Sequence, residues 1–387
     1  MNMEWTAGLV VRGFPALVAA ACLLCPVRPI CAAEDHGQHQ EHAQHQHGAV
    51  PPMGADGKRL ESYNVRHQMS ADDMAALRAK VPLYRGMTDR ELEMNMNAMG
   101  PDYAWYVSDR KLKGDTGVLI LSHGVGENSD RVLKKAFEPL AQGKPTAIGF
   151  GMSMMSSAHL QAAVDDLVAR GVKKIVLVDE GTTTQYNSLT RHWQYVFGMY
   201  PEASYLSVPK VNAPGVKFIW AGHFNDSPLI TEMLYENARS VSRNPARETL
   251  ILVGHGPEDT ADNGPDLKIL QAHVDRIKAK QEFADVKIIN LQDDAIKPIR
   301  ESNVRTLRKW VEQAGRQGNE VIVVAVAAAS FGVQTHIKQD LRGLKYTFAD
   351  KGLAENPKFV RWVQTLIDQA MAAQAGGAPG HVFPGAR

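Results

Sequence analysis

The sequence predicts an α/β protein built from two tandem units, each a mostly parallel sheet flanked by helices. Two observations carry this. Short apolar runs alternate with amphipathic stretches along most of the chain, which is the pattern of parallel strands covered on both faces. The order then repeats: GVLILSHGVGENSD (117–130) and LILVGHGPEDTADNGPD (250–266) are each an apolar run ending in His-Gly and a polar loop. In chain order, SADDMAALRAK is a helix capped by Ser70, with Asp72 and Asp73 in its first turn. A second helix starts near Thr88 and stops at Gly100-Pro101. Its Met94, Met96 and Met99 read as packing rather than as copper ligands. VLILS is then a strand, Asp130 to Leu140 a helix, PTAIGF a strand and HLQAAVDDLVARG a helix ended by Gly171. KKIVLVDEG is a strand, Leu189 to Phe197 a helix, and VKFIWAG a strand. The second unit follows with TLILVGHG, a helix from Leu267 to Lys280, DVKIINLQ, a helix from Ala295 to Gln317, and NEVIVVAVAAA. PKFVRWVQTLIDQAMAAQ closes it as a helix.

Length and composition bound the function. A chain of 387 residues with 44% apolar and 22% charged residues can bury two ordinary cores. The net charge of +1, without a basic run or an interleaved basic and aromatic stripe, argues against nucleic-acid binding. The first 33 residues read as a leader: Arg12 precedes FPALVAAACLLCPV, and ICAA offers small residues before a polar stretch. Cleavage after Ala33 implies export to the periplasm and leaves no transmembrane segment, because the apolar run is too short for a comfortable span. A lipoprotein reading ending at Cys22 is disfavoured by Ala19 three residues before it. Cys22, Cys25 and Cys31 all lie in this leader, so disulfides, thiolate catalysis and Cys-ligated zinc are excluded from the mature chain. Residues 34–57 are a His-rich linker whose His36, His39, His42, His45 and His47 suit transition-metal capture. The expected organisation is a leader over 1–33, that linker, a helical extension over 58–114, units over 115–243 and 244–372, and a disordered tail over 373–387.

Ligands of open α/β sheets collect beyond the carboxyl ends of the strands. His123 and His255 both stand there, and Gly124 and Gly256 let the backbone turn away from the imidazole. In the second unit, the loop after the third strand carries His336. First and third strands of such a unit bring their ends into one crevice, so His255 and His336 form a candidate site for a divalent metal. Glu258 and Asp259 are candidates to supply an oxygen ligand or to orient an imidazole.

GHG after the first strand and FGVQTHIKQDL after the third, with Gly332, His336 and Asp340, together resemble the class II tetrapyrrole chelatases. These include the sirohydrochlorin cobalto- and ferrochelatases. LSHGVGENSD and AGHFNDSPLITEMLYENA extend the resemblance over residues 115 to 370. It implies a chelatase-like fold and insertion of Co, Fe, Ni or Zn into a tetrapyrrole without a nucleotide. It makes His255 and His336 metal ligands and catalytic residues, one doubling as proton acceptor; Glu258 stays the candidate third metal ligand on the residue reading above. A homodimer is a further expectation.

Two features depart from the family pattern. His336 lies twelve residues past Val324, but the same step past Val178 reaches Thr190; His192 and His223 are the nearby candidates for a second site with His123. The first unit is therefore expected to serve more as scaffold than as site. Export also sits badly with tetrapyrrole synthesis, so a periplasmic metal- or tetrapyrrole-binding protein on the same fold is the alternative. His159 and His273 are expected to be structural. An α/β-hydrolase reading through HGVG and Ser330 is weaker, since Ala328 replaces the first Gly of the nucleophile elbow and no ordered later His completes a triad.

Overall fold

The computed structural model describes residues 51–59, 69–99, 101–124, 126–180, 184–329 and 332–376. The leader, the histidine arm, Ser330 and the last residues of the tail lie outside them. Two short helices come first, α1 (Ala71–Lys80) and α2 (Asp89–Ala98). Each begins in a reciprocal capping box, Ser70 with Asp73 and Thr88 with Glu91, which satisfies the first free N–H groups of both helices. Met96 is buried and Met99 packs on the same core, while Met94 is exposed.

The first sheet contains β1 (Tyr103–Tyr106), β2 (Thr116–Ser122), β3 (Thr146–Phe150), β4 (Lys174–Asp179) and β5 (Lys217–Trp220), in the order β1-β3-β2-β4-β5. Its helices are α3 (Glu127–Gly143), α4 (Ala158–Val168), α5 (Ser188–Val196) and α6 (Pro228–Val241). Only β1 is antiparallel, against β3. The second sheet contains β6 (Glu248–Gly254), β7 (Asp285–Asn290), β8 (Glu320–Val326) and β9 (Thr347–Ala349), in the order β7-β6-β8-β9, all parallel. Its helices are α7 (Thr260–Lys278), α8 (Lys297–Arg316), α9 (Val333–Asp340) and α10 (Lys358–Ala375). Leaving β1 aside, the two sheets have one strand order, with β2 standing where β6 stands and β3 where β7 stands.

Alternation along the strands sets the layers. Val118, Ile120, Val176 and Val178 of the first sheet share one core with Leu250, Leu252, Ile322 and Val324 of the second, filled by α3, α6, α7 and α10. Leu119 and Leu121 face the other way, into a core with α1, α2, α4 and α5. Ile251 and Val253 face α8 and α9. The two sheets are thus joined by a shared helical layer, and each carries an outer one. Among the described residues no helix is long and apolar enough to cross a membrane.

Several elements differ from expectation. The polar stretch after His255 is not a loop: α7 begins at Thr260, where the Asp259 carboxylate accepts from the Ala261 N–H. The helix then runs through Pro265. His336 stands on α9 rather than in a loop. The strands YAWY and TFA and the helix α6 had no counterpart in the sequence reading, and β1 makes the segment before residue 114 part of the first sheet rather than wholly helical.

Candidate functional site

The site of the second unit is built where β6, β7 and α9 end or begin. β6 stops at Gly254, and Gly256 adopts φ +76°, which turns the chain sharply and leaves the imidazole of His255 at the strand end. The loop after β7 is stitched onto this turn. The Gln292 N–H donates to the His255 carbonyl at 2.7 Å, and the Gln292 side-chain amide donates to the Pro257 carbonyl at 3.1 Å. Asn290 at the end of β7 donates to Asp266 at 2.7 Å and to Asn263 at 2.9 Å, anchoring that loop on α7. Asp266 in turn accepts from Thr184 of the first unit at 2.5 Å.

This stitching delivers two adjacent carboxylates, Asp293 and Asp294, to the imidazoles. His255 donates from Nδ1 to the Gly256 carbonyl at 2.8 Å. A carbonyl only accepts, so this bond fixes the neutral tautomer with its lone pair on Nε2. That Nε2 lies 3.5 Å from Oδ2 of Asp294. His336 donates from Nδ1 to Oδ2 of Asp293 at 3.3 Å, again leaving Nε2 as the free nitrogen. Asp293 is only 5% exposed, whereas His255 and His336 are 33% and 53% exposed, so both rings are open to a ligand.

The electrostatics follow. Burial pulls the pKa of His255 down, yet Asp294, Asp293, the Gly256 carbonyl and Glu258 together hold it above the ordinary 6.5. The hydrogen bond to Asp293 outweighs burial and raises His336. Burial works against ionisation of Asp293, but His336, His255 and Arg300 keep its carboxyl below the usual 3.8. Glu258 is pushed up to about 7, chiefly by burial and further by the Asp294 charge. Tyr84, Tyr205 and Arg191 also feel the Glu258 charge, so residues of the N-terminal extension and of the first unit reach this side of the site.

In the first unit the same strand ends are wired differently. His123 repeats the His255 motif, with Nδ1 donating to the Gly124 carbonyl at 2.7 Å and Gly124 at φ +72°. Its neighbouring carboxylate, Glu180 past the end of β4, accepts from the Ser122 hydroxyl at 2.6 Å and the His123 backbone N–H at 2.9 Å. His223 pairs with Asp179 at 3.1 Å. His192 is fully buried on α5, where its Nε2 donates to the Ser153 carbonyl at 2.7 Å and its pKa is pulled down to about 4 by burial. His159 and His273 are also fully buried, and burial lowers them to about 3 and about 4. Among the described residues no three His, Cys, Asp or Glu side chains already stand in a metal-binding arrangement. Asp293 and Asp294 escaped the sequence reading; an acidic pair just past a parallel strand, NLQDD, is the signal that marks them.

Among solved structures, the chain is similar to SirB from Bacillus subtilis, solved with Fe3+, at a TM-score of 0.52 and 12% identity, covering 69% of this chain and all of that one. The fold is chelatase-like. A second solved structure, DR2241 from Deinococcus radiodurans, is described as a multi-domain protein with structural similarity to chelatases. It matches at a TM-score of 0.38 and 16% identity, over 67% of this chain and 55% of that one. No protein-family model matches the sequence, and no curated protein matches it.

Proposed function

We propose that this chain takes a divalent transition metal (Co, Fe, Ni or Zn) on the Nε2 atoms of His255 and His336 and inserts it into a tetrapyrrole of the sirohydrochlorin class, without a nucleotide. The observation that carries the reading is the meeting of two half-exposed imidazoles with the adjacent carboxylates Asp293 and Asp294. Their Nδ1 atoms are already spent on Gly256 and Asp293, so both rings offer the nitrogen that a metal needs. Asp294, 3.5 Å from Nε2 of His255, offers an oxygen donor, and Asp293 orients His336.

Insertion releases two pyrrole protons. Glu258, whose carboxyl is pushed up to about 7, can accept one of them, and an imidazole freed as the metal passes to the ring can accept the other. Two open imidazoles hold a metal loosely enough to give it up to a four-nitrogen ring, and face-to-face docking supplies the rate through proximity. In this reading the chain is exported to the periplasm after loss of residues 1–33, and the five arm histidines gather metal for the site.

The test is to incubate the full chain with sirohydrochlorin and Co2+ and follow the macrocycle's absorption. Metallation faster than in a mixture without protein supports insertion. Tight binding of metal or macrocycle without turnover would instead support a trafficking protein, a reading that the leader and the histidine arm favour.

A further inference from the structure

Asp340 has no role in the site as described so far, although it sits one helical turn after His336 on the same face of α9. Its carboxylate grips Arg300 of α8 with both oxygens, Oδ2 to Nη2 at 2.8 Å and Oδ1 to Nη1 at 3.3 Å. The remaining nitrogen of the fork, Nε, donates to Oδ1 of Asp293 at 2.8 Å. Asp293 then accepts from His336 with its other oxygen. The four side chains close a ring: His336, Asp293, Arg300, Asp340, and back along one turn of α9.

Both carboxylates of this ring are largely buried, which limits screening by solvent. Arg300 is suited to the middle place because a planar guanidinium can hold one carboxylate with two nitrogens and a second with the third. With Oδ1 committed to Arg300, Asp293 cannot swing away from His336, and the imidazole plane is fixed from outside the site.

Resting on the metal-site reading above, we infer that Arg300 and Asp340 are positioning residues that set the metal affinity of His336 through Asp293. Neither touches the metal. The probe is Co2+ added to the full chain with the five arm histidines changed to Gln, read by affinity and by the visible absorption of the bound ion. Arg300→Gln is expected to weaken binding roughly tenfold, the scale for losing an outer partner of a ligating histidine. It should also change the absorption band as His336 leaves the ion. Arg300→Lys should recover only part of the loss, since an ammonium cannot span two carboxylates in one plane. Asp340→Asn should act in the same direction more weakly, and the double variant should be no worse than Arg300→Gln alone, because the two act through one path.

Unchanged affinity and spectrum in Arg300→Gln, or losses that multiply in the double variant, would overturn the inference. If Arg300→Gln does not fold, Asp340→Asn decides by the same two readouts. Wild-type binding in a variant lacking both His255 and His336 would bring down the site reading itself. Failure of the ring alone leaves that control intact.

Discussion

The carboxyl ends of β2 and β6 begin alike and finish differently. Each ends in His-Gly, each imidazole donates from Nδ1 to the glycine carbonyl, and each glycine has a positive φ. The divergence lies on the neighbouring strand. By sheet register Phe150 of β3 stands where Asn290 of β7 stands, and three residues further Ser153 stands where Asp293 does. Each of these positions receives a histidine from the helix after the third strand, His192 on the Ser153 carbonyl and His336 on the Asp293 carboxylate. One histidine is sealed in the core and the other is open to solvent. Two ends of the same plan thus hold one histidine in the core and leave the other open, according to what one adjacent loop presents.

The comparison can be broken at the glycines, where the largest effect is expected. A Cβ on Gly256 would come 2.6 Å from Cβ of Asn290, whereas on Gly124 its nearest neighbours lie at 3.5 Å. Both substitutions strain the backbone by about 1–2 kcal/mol, and only the second unit adds a backbone-anchored clash. Gly256→Ala should therefore lose more than about 3 kcal/mol in denaturant unfolding and Gly124→Ala about half that or less. Equal losses would mean that the two turns are not packed differently.

A smaller effect sharpens the contrast at the orienting position. Asp293→Asn keeps the shape but gives up the charge that holds His336, and should weaken Co2+ binding roughly tenfold. Ser153→Asp should create no second metal site, because His192 remains buried. A gain of one equivalent of Co2+ in that variant would show that the first unit lacks only a carboxylate.

The smallest effect is on pH. A histidine whose pKa is raised is protonated, and closed to metal, at a higher pH than a free imidazole. Co2+ binding should therefore fall away as pH drops, with a midpoint above 6.5. In the protein without metal the sign reverses. The raised pKa values contribute stability below the unfolded value of about 6.5 that is lost as pH rises through the folded values. Asp294→Asn removes the largest charge that raises His255 and should move the binding midpoint downward. An unchanged titration curve would dissociate Asp294 from the site.

Much of the fold was legible because long apolar runs and amphipathic helices carry strong periodicity; VLILS, KIVLV, LILVG and EVIVVAV are strands as their composition demands. The misses have physical causes. YAWY and TFA are four and three residues long, too short for alternation to show. The start of α7 was hidden because Gly264 and Pro265 read as breakers, while the Asp259 cap starts the helix ahead of them. For the site, His255 and His336 were visible from the strand-end motif and the spacing before Asp340. Asp293 and Asp294 were not, because the role of a carboxylate in a loop depends on which strand lies beside it.

On the proposed function, His255 and His336 hold the metal and their counterparts do not. This is tested most directly by Co2+ titration of the full chain with the arm histidines changed to Gln, comparing His255→Ala/His336→Ala with His123→Ala/His223→Ala. The first pair of substitutions is expected to abolish the tight equivalent and the second to leave it within about threefold. Retention of tight stoichiometric binding without His255 and His336 would contradict it.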